Sequence, residues 1–284
     1  MNLLSSITLR TTLLFVVCTQ ISVAATSKPR VASLNLCADQ LIMLLADPEQ
    51  IASLSKLSTE EAGSLYALAA ARYPQNNATA EDVLVESPDL VIAGAFTVSY
   101  TPRLLQNLGM SVETLPLANS IQDAMNNVEL VAELLEQQAR GDEIIAKMKA
   151  RLAAMPQIVP KPPRAAVYDA NGYTVGAKTM RGEALLLAGW ANVAEELAYD
   201  SYGTLSLETL IHLWPDAVIE APYEQGSYSR AQHVTKHPVI GKGGFNPKRI
   251  GIPSNKTVCA GPWSLDVIDI LIDARVALSS DLLR

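Results

Sequence analysis

Short apolar runs alternate with amphipathic stretches along most of this chain. Residues 30–36 read as a buried strand, 38–46 as a helix stopping at Asp47-Pro48, and 51–54 as a second strand. A helix at 79–86 ends on Ser87-Pro88 and leads into the apolar strand 89–93. Residues 101–108 form a helix closed by Gly109, and 111–115 return to strand. This strand–helix–strand rhythm predicts a parallel sheet covered by helices.

The rhythm stops at Ser120. From there to residue 155 the chain has no proline and a single glycine, Gly141. Apolar residues recur at Val128, Val131, Leu134, Leu135, Ile144, Ile145, Met148 and Leu152, and Ser120 with Asp123 supplies an N-cap arrangement. The spacing predicts one helix of about 35 residues and about 50 Å, longer than either flanking unit needs. The alternative is two helices broken at Gly141, since a mid-helix glycine costs about 1 kcal/mol. Four prolines within residues 156–163 then mark the entry to a second α/β unit. Strands are expected at 165–168, 217–220 and 256–259, and helices at 182–188, 206–213, 229–236 and 264–277. The expected architecture is α/β: two Rossmann-like lobes with parallel sheets, at 26–118 and 156–284, bridged by one long α-helix at 119–155.

The N-terminus changes the compartment rather than the fold. Arg10 is the only charge in the first 25 residues, an apolar run from Leu13 to Cys18 follows, and Ser22-Val23-Ala24-Ala25 supplies small residues for cleavage. This reads as a signal peptide, residues 1–25, cut after Ala24 or Ala25, with an apolar core too short to span a bilayer. The expected location is therefore the periplasm, with Cys18 in the discarded peptide. The net charge of −7, or −8 without Arg10, comes with no basic patch and argues against a nucleic-acid partner. Two cysteines remain, Cys37 and Cys259, in a compartment that permits a disulfide.

Four segments carry a family resemblance. They are Arg30-Val-Ala-Ser-Leu-Asn-Leu36, Glu81-Asp-Val-Leu-Val-Glu-Ser-Pro-Asp-Leu-Val-Ile92, Arg181-Gly-Glu-Ala-Leu-Leu-Leu-Ala-Gly-Trp190 and Leu205-Ser-Leu-Glu-Thr-Leu-Ile-His-Leu-Trp-Pro-Asp216. In this order, around a bridging helix, the chain resembles the periplasmic binding proteins of ABC importers for iron–siderophore complexes, cobalamin and haem. Glu81 and Glu208 each lie seven residues before a Pro-Asp pair, Pro88-Asp89 and Pro215-Asp216, that leads into a strand. By themselves they are ordinary helix-start carboxylates favoured by the macrodipole. The resemblance implies that they dock the permease dimer of the transporter, one from each lobe.

Ligands of open α/β sheets bind beyond the carboxyl ends of the strands. That rule selects Asn35, Cys37, the stretch 56–66 ending at Tyr66, Ala95, Phe96 and Tyr100 in the first lobe. In the second it selects Tyr168, Asn171, Tyr173, Pro222, Tyr223, Cys259 and Trp263. The aromatic members offer flat faces with a polar handle, and Arg103 and Arg181 are candidate anion contacts. Cys37 and Cys259 are each expected at a strand's carboxyl end, facing the cleft. They fit three roles: buried small apolar residues, an inter-lobe disulfide, or thiols at the ligand.

Enzymatic chemistry has no foothold. Gly172-Tyr-Thr-Val-Gly-Ala-Lys-Thr179 departs from a phosphate loop at Ala177, and His212, His233 and His237 do not assemble a metal set. There is no G-x-S-x-G elbow and no C-x-x-C pair. The expectation is a monomeric, cofactor-free binding protein that captures a metal chelate, with ferric siderophore ahead of cobalamin or haem. The rival of a different class is an exported thiol-dependent enzyme or redox protein using Cys37 and Cys259.

Overall fold

The computed structural model describes residues 27–155, 160–222, 230–242 and 244–281. The predicted signal peptide, Pro156 of the four-proline entry segment and Tyr223 lie outside the described residues. The first lobe runs β1 (Val31–Ser33), α1 (Leu36–Leu45), β2 (Ile51–Ser55), α2 (Ala67–Ala70), β3 (Gln75–Asn76), α3 (Ala80–Val85), β4 (Leu90–Gly94), α4 (Tyr100–Asn107) and β5 (Ser111–Leu115). Two helices follow, α5 (Ile121–Leu134) and α6 (Gln138–Ala153). The second lobe runs β6 (Arg164–Val167), β7 (Tyr173–Val175), α7 (Met180–Leu187), β8 (Ala191–Asn192), β9 (Tyr202–Thr204), α8 (Leu207–Leu213), β10 (Ala217–Glu220), β11 (Lys248–Gly251) and α9 (Ser264–Asp281). No described helix is long and apolar enough to cross a membrane.

The two main sheets are parallel, in the orders β3-β2-β1-β4-β5 and β11-β10-β6-β8. Their central strands are apolar because both faces are buried. Along β4, Leu90 and Ile92 join the core under α1, whereas Val91 and Ala93 pack with Val83 and Leu105 on the other face. A separate antiparallel ribbon pairs β7 with β9. The expected strand at 256–259 is absent. The strand is β11, earlier in the chain, and residues 254–256 form a 3-10 turn on the way to α9. The expected helix at 229–236 is a 3-10 turn, Arg230–His233, among the described residues.

The proline–aspartate spacing marks a real internal repeat. Asp89 Oδ2 accepts a hydrogen bond from the backbone N–H of Arg30 at 2.8 Å, and Asp216 Oδ2 accepts one from Arg164 N–H at 2.7 Å. Each aspartate thus pins the start of the neighbouring strand, β1 or β6, to its own. The helix–turn–strand units α3–β4 and α8–β10 occupy equivalent places in the two lobes.

The single bridging helix is not what forms. The segment folds as two helices, and the break falls at residues 135–137 rather than at Gly141. Glu136 takes a left-handed conformation at φ +55°, while Glu136 N–H donates to Glu133 O and Gln137 N–H to Ala132 O. That is a Schellman termination with glutamate in the position glycine usually fills. The first lobe completes it: the Gln50 side-chain amide donates to Leu135 O at 2.8 Å, and Gln137 Nε2 donates to Gln50 Oε1. Gly141 lies inside α6, close against Ala132 of α5. The hairpin still serves both lobes, since Val128, Val131 and Leu135 belong to the first core and Ile121, Met125 and Met148 to the second.

One buried acid makes the first lobe pH-dependent. Asp39, on α1, is fully buried and accepts from the backbone N–H of Ser55 at 2.9 Å and from its hydroxyl. Burial pushes its carboxyl from the ordinary 3.8 up to about 7, against the lowering effect of the Ser55 and Ser33 hydrogen bonds. Between those values the unfolded chain has lost this proton and the folded chain keeps it. Asp39 therefore erodes stability as pH rises from about 4 to about 7. The variant Asp39→Asn is expected to remove this component. Its urea midpoint relative to wild type should rise across that interval, and a constant difference would refute the assignment.

Candidate functional site

In each sheet the connections change direction between adjacent strands, β1 and β4 in the first lobe and β6 and β10 in the second. Loops leaving the carboxyl ends of such strands diverge and open a crevice. A cavity of about 360 Å³ lies where the crevices of the two lobes meet. The first lobe lines it with Asn35, Cys37, residues 94–96 and residues 115–118. The second contributes Tyr173, Tyr202, residues 179–181, Ala221, and residues 254 and 257–260 between β11 and α9.

Local sequence explains these placements. Asn35 ends β1 and caps α1, its side-chain oxygen accepting from Cys37 N–H at 2.9 Å. Its amide sits directly over Gly94, where a Cβ would come within 2.4 Å of Asn35 Cγ. Only glycine at the end of β4 lets the two switch-point strands come so close. In the second lobe Asp169, just beyond β6, accepts from Ala221 N–H at 2.8 Å and from Arg181 Nη1. The aspartate thus joins the two switch-point strands and aims Arg181, which is the one charged side chain lining the cavity among the described residues. Arg181 Nε and Nη2 are buried without a hydrogen-bond partner among the described residues.

The aromatic surface comes from both lobes. Tyr173 and Tyr202 face each other across the β7–β9 ribbon, stacked with ring centroids 5.9 Å apart and planes 25° apart. Burial, and then the neighbouring Tyr202, push the Tyr173 phenol up to about 12, so it keeps its proton. In the first lobe Phe96 stands 81% exposed at the cavity wall.

Of the residues selected from sequence, Asn35, Cys37, Phe96, Tyr173, Arg181 and Cys259 line the cavity, as does Ala95. Others do not. Tyr168 is fully buried because strand alternation turns it, with Ala166, onto the face packed by Leu205 and Leu210. Trp263 is buried in the first-lobe core, its indole N–H donating to Cys259 O at 2.7 Å, with Tyr66 edge-on against it. Tyr100 opens α4 and is exposed outside the cavity, and Arg103 turns back onto Ser99 of its own helix start. The stretch 56–66, Asn171 and Pro222 also lie outside the lining. Tyr202 was missed because three-residue strands such as β7 and β9 show too little alternation to be read.

Cys37 and Cys259 form a disulfide with Cα atoms 5.2 Å apart, closing off the free-thiol readings. Neither sits at a strand end: Cys37 is in the first turn of α1, and Cys259 is in the segment before α9. Glu81 and Glu208 are exposed in the first turns of α3 and α8. Each helix turns back directly into the strand it precedes, so its first turn lies at the cleft end of its lobe. Glu208 titrates below its ordinary value because its own backbone N–H and the Ser206 hydroxyl donate to it, which keeps it charged.

Residues 31–242 match the family described as periplasmic binding protein. The chain is 29% identical over 197 residues to cobalamin-binding proteins of two Halobacterium salinarum strains, an alignment covering 67% of this chain and 53% of theirs. It thus spans about half the length of the curated relatives it matches. Among solved structures it is similar to the periplasmic heme-binding protein RhuT of Roseiflexus sp. RS-1, with a TM-score of 0.67 and 19% identity over 88% of this chain and 100% of that one. It is also similar to the periplasmic vitamin B12 binding protein BtuF of Vibrio cholerae, with a TM-score of 0.61 and 15% identity over 88% and 97%.

Proposed function

The chain belongs to the periplasmic binding protein family, and we propose that it captures a corrinoid between its lobes and hands it to an ABC importer. As a member of that family it is a solute-binding protein, not an enzyme. The observation that carries the corrinoid reading is the charge of the cleft. Its described lining holds stacked and exposed aromatic faces and one cationic group, Arg181, already shared with Asp169. A ferric tris-catecholate brings several negative charges and calls for several cations. A corrinoid brings apolar faces, an amide periphery and at most one phosphodiester, which one guanidinium can meet. The names of the curated relatives support the same choice over the ferric siderophore that the sequence favoured. A corrinoid is larger than the cavity, so part of it would rest against Phe96 and Tyr202 at the mouth.

In this reading delivery rests on Glu81 and Glu208, one exposed carboxylate at the cleft end of each lobe, as the contacts for a basic surface on two permease subunits. The family supports a periplasmic location.

Titration of the purified protein with cyanocobalamin, followed by absorbance and calorimetry, is expected to give saturable one-to-one binding. Saturable binding of a ferric tris-catecholate without cyanocobalamin binding would overturn the corrinoid reading. The variant Glu81→Ala/Glu208→Ala should keep its cyanocobalamin affinity and lose at least about tenfold in stimulation of the importer's ATPase.

A further inference from the structure

Beyond Ile252, which is buried in the second-lobe core, the segment 253–263 crosses to the first lobe while keeping Lys256 paired with Asp266 of α9 and Ala260 against the second-lobe core. It starts after β11, which pairs with β10, and ends at α9, whose Leu265, Ile268 and Leu271 lie in the second-lobe core. Between those anchors it is held by the first lobe. Ser254 Oγ donates to Ala62 O at 2.6 Å, and Asn255 Nδ2 donates to Glu61 O at 3.3 Å. Cys259 and Trp263 are buried among first-lobe core residues, and Cys259 is bonded to Cys37 of α1. The segment is therefore an arm of one lobe clamped on the other, and Ser254, Thr257 and Ala260 of that arm line the cavity.

We propose that the Cys37–Cys259 disulfide is a positioning pair that presets the ligand cleft, fixing the arm and hence the gap between the lobes before any ligand arrives. The α5–α6 hairpin carries the chain from the first lobe to the second and packs on both cores. The disulfide adds a covalent tie that lies in the cavity wall itself, so changes in the inter-lobe angle must pivot about it. Binding then proceeds into a gap already set, with little of the ligand's binding energy spent on ordering the arm. This rests on reading the cavity as the ligand site, but its first readout needs no ligand.

The test compares oxidised wild type with Cys37→Ala/Cys259→Ala by amide hydrogen exchange and small-angle X-ray scattering, both ligand-free, and then by cyanocobalamin titration. In the variant, amides of residues 254–263 should exchange at least about tenfold faster while those of β4 and β10 do not, and the scattering should broaden toward larger dimensions. Cyanocobalamin affinity should fall at least about tenfold. Unchanged arm exchange and scattering in a folded variant overturn the proposal, because a bond that only stabilises the fold would lower the unfolding temperature and leave both as they are. A loosened arm in a protein whose wild type does not bind cyanocobalamin upholds the preset cleft and removes the corrinoid reading instead. Wild type reduced with dithiothreitol under native conditions gives the same comparison if the variant does not fold.

Discussion

Protein lacking the Cys37–Cys259 bond, as Cys37→Ala/Cys259→Ala, is expected to unfold at a temperature lower by roughly 10 °C, corresponding to about 4 kcal/mol. The bond closes a loop with a sequence separation of 222 residues, so it removes much of the freedom of the unfolded chain. That loop contains the whole α5–α6 hairpin and most of both lobes, and the stabilisation is shared by the entire described fold. Scanning calorimetry of oxidised wild type against the variant measures it. A difference under about 3 °C would mean that the unfolded chain is already compact around these residues, or that the native bond is strained.

The second large effect is expected at the hairpin. Gly141→Leu should cost about 3 kcal/mol, because it inserts a side chain between two helices already in contact. A Cβ at this position would come within 2.5 Å of the Ala132 Cβ. Ala132 is itself buried among first-lobe core residues, so neither helix can move outward without opening that core. Gly141→Ala combined with Ala132→Gly moves the methyl from one helix to the other and should recover most of the loss. Urea unfolding of the two variants against wild type would check this, and a fully stable Gly141→Leu protein would show that the helices are not packed as described.

Gly141 shows why one part of the fold was misread. A glycine within a long helical pattern looks like a breaker, and its cost to an isolated helix is real. Here it is the surface on which α5 rests. The true break carries no such signal, because Glu136 occupies the left-handed position without being Asn or Gly. Its cost is met by Gln50, distant in sequence, whose amide holds the Leu135 carbonyl. Tyr168 and Trp263 failed for a related reason. Proximity to a strand's carboxyl end was legible, but whether a large aromatic turns into the crevice or the core depends on what packs there.

Alternating apolar runs, caps such as Ser120 and the repeated Pro-Asp turns were enough, read alone, to establish two α/β lobes with parallel sheets. They also pointed to strand ends as the cleft, and to Asn35, Phe96, Tyr173 and Arg181 within it. These are properties of local periodicity and of the chemistry of short segments. Tertiary structure alone decided the helix break, the pairing of Cys37 with Cys259, the arm that carries it and the stacking of Tyr202 on Tyr173. Each of those depends on a partner far away in the chain, and no local pattern encodes which distant surface a residue will meet.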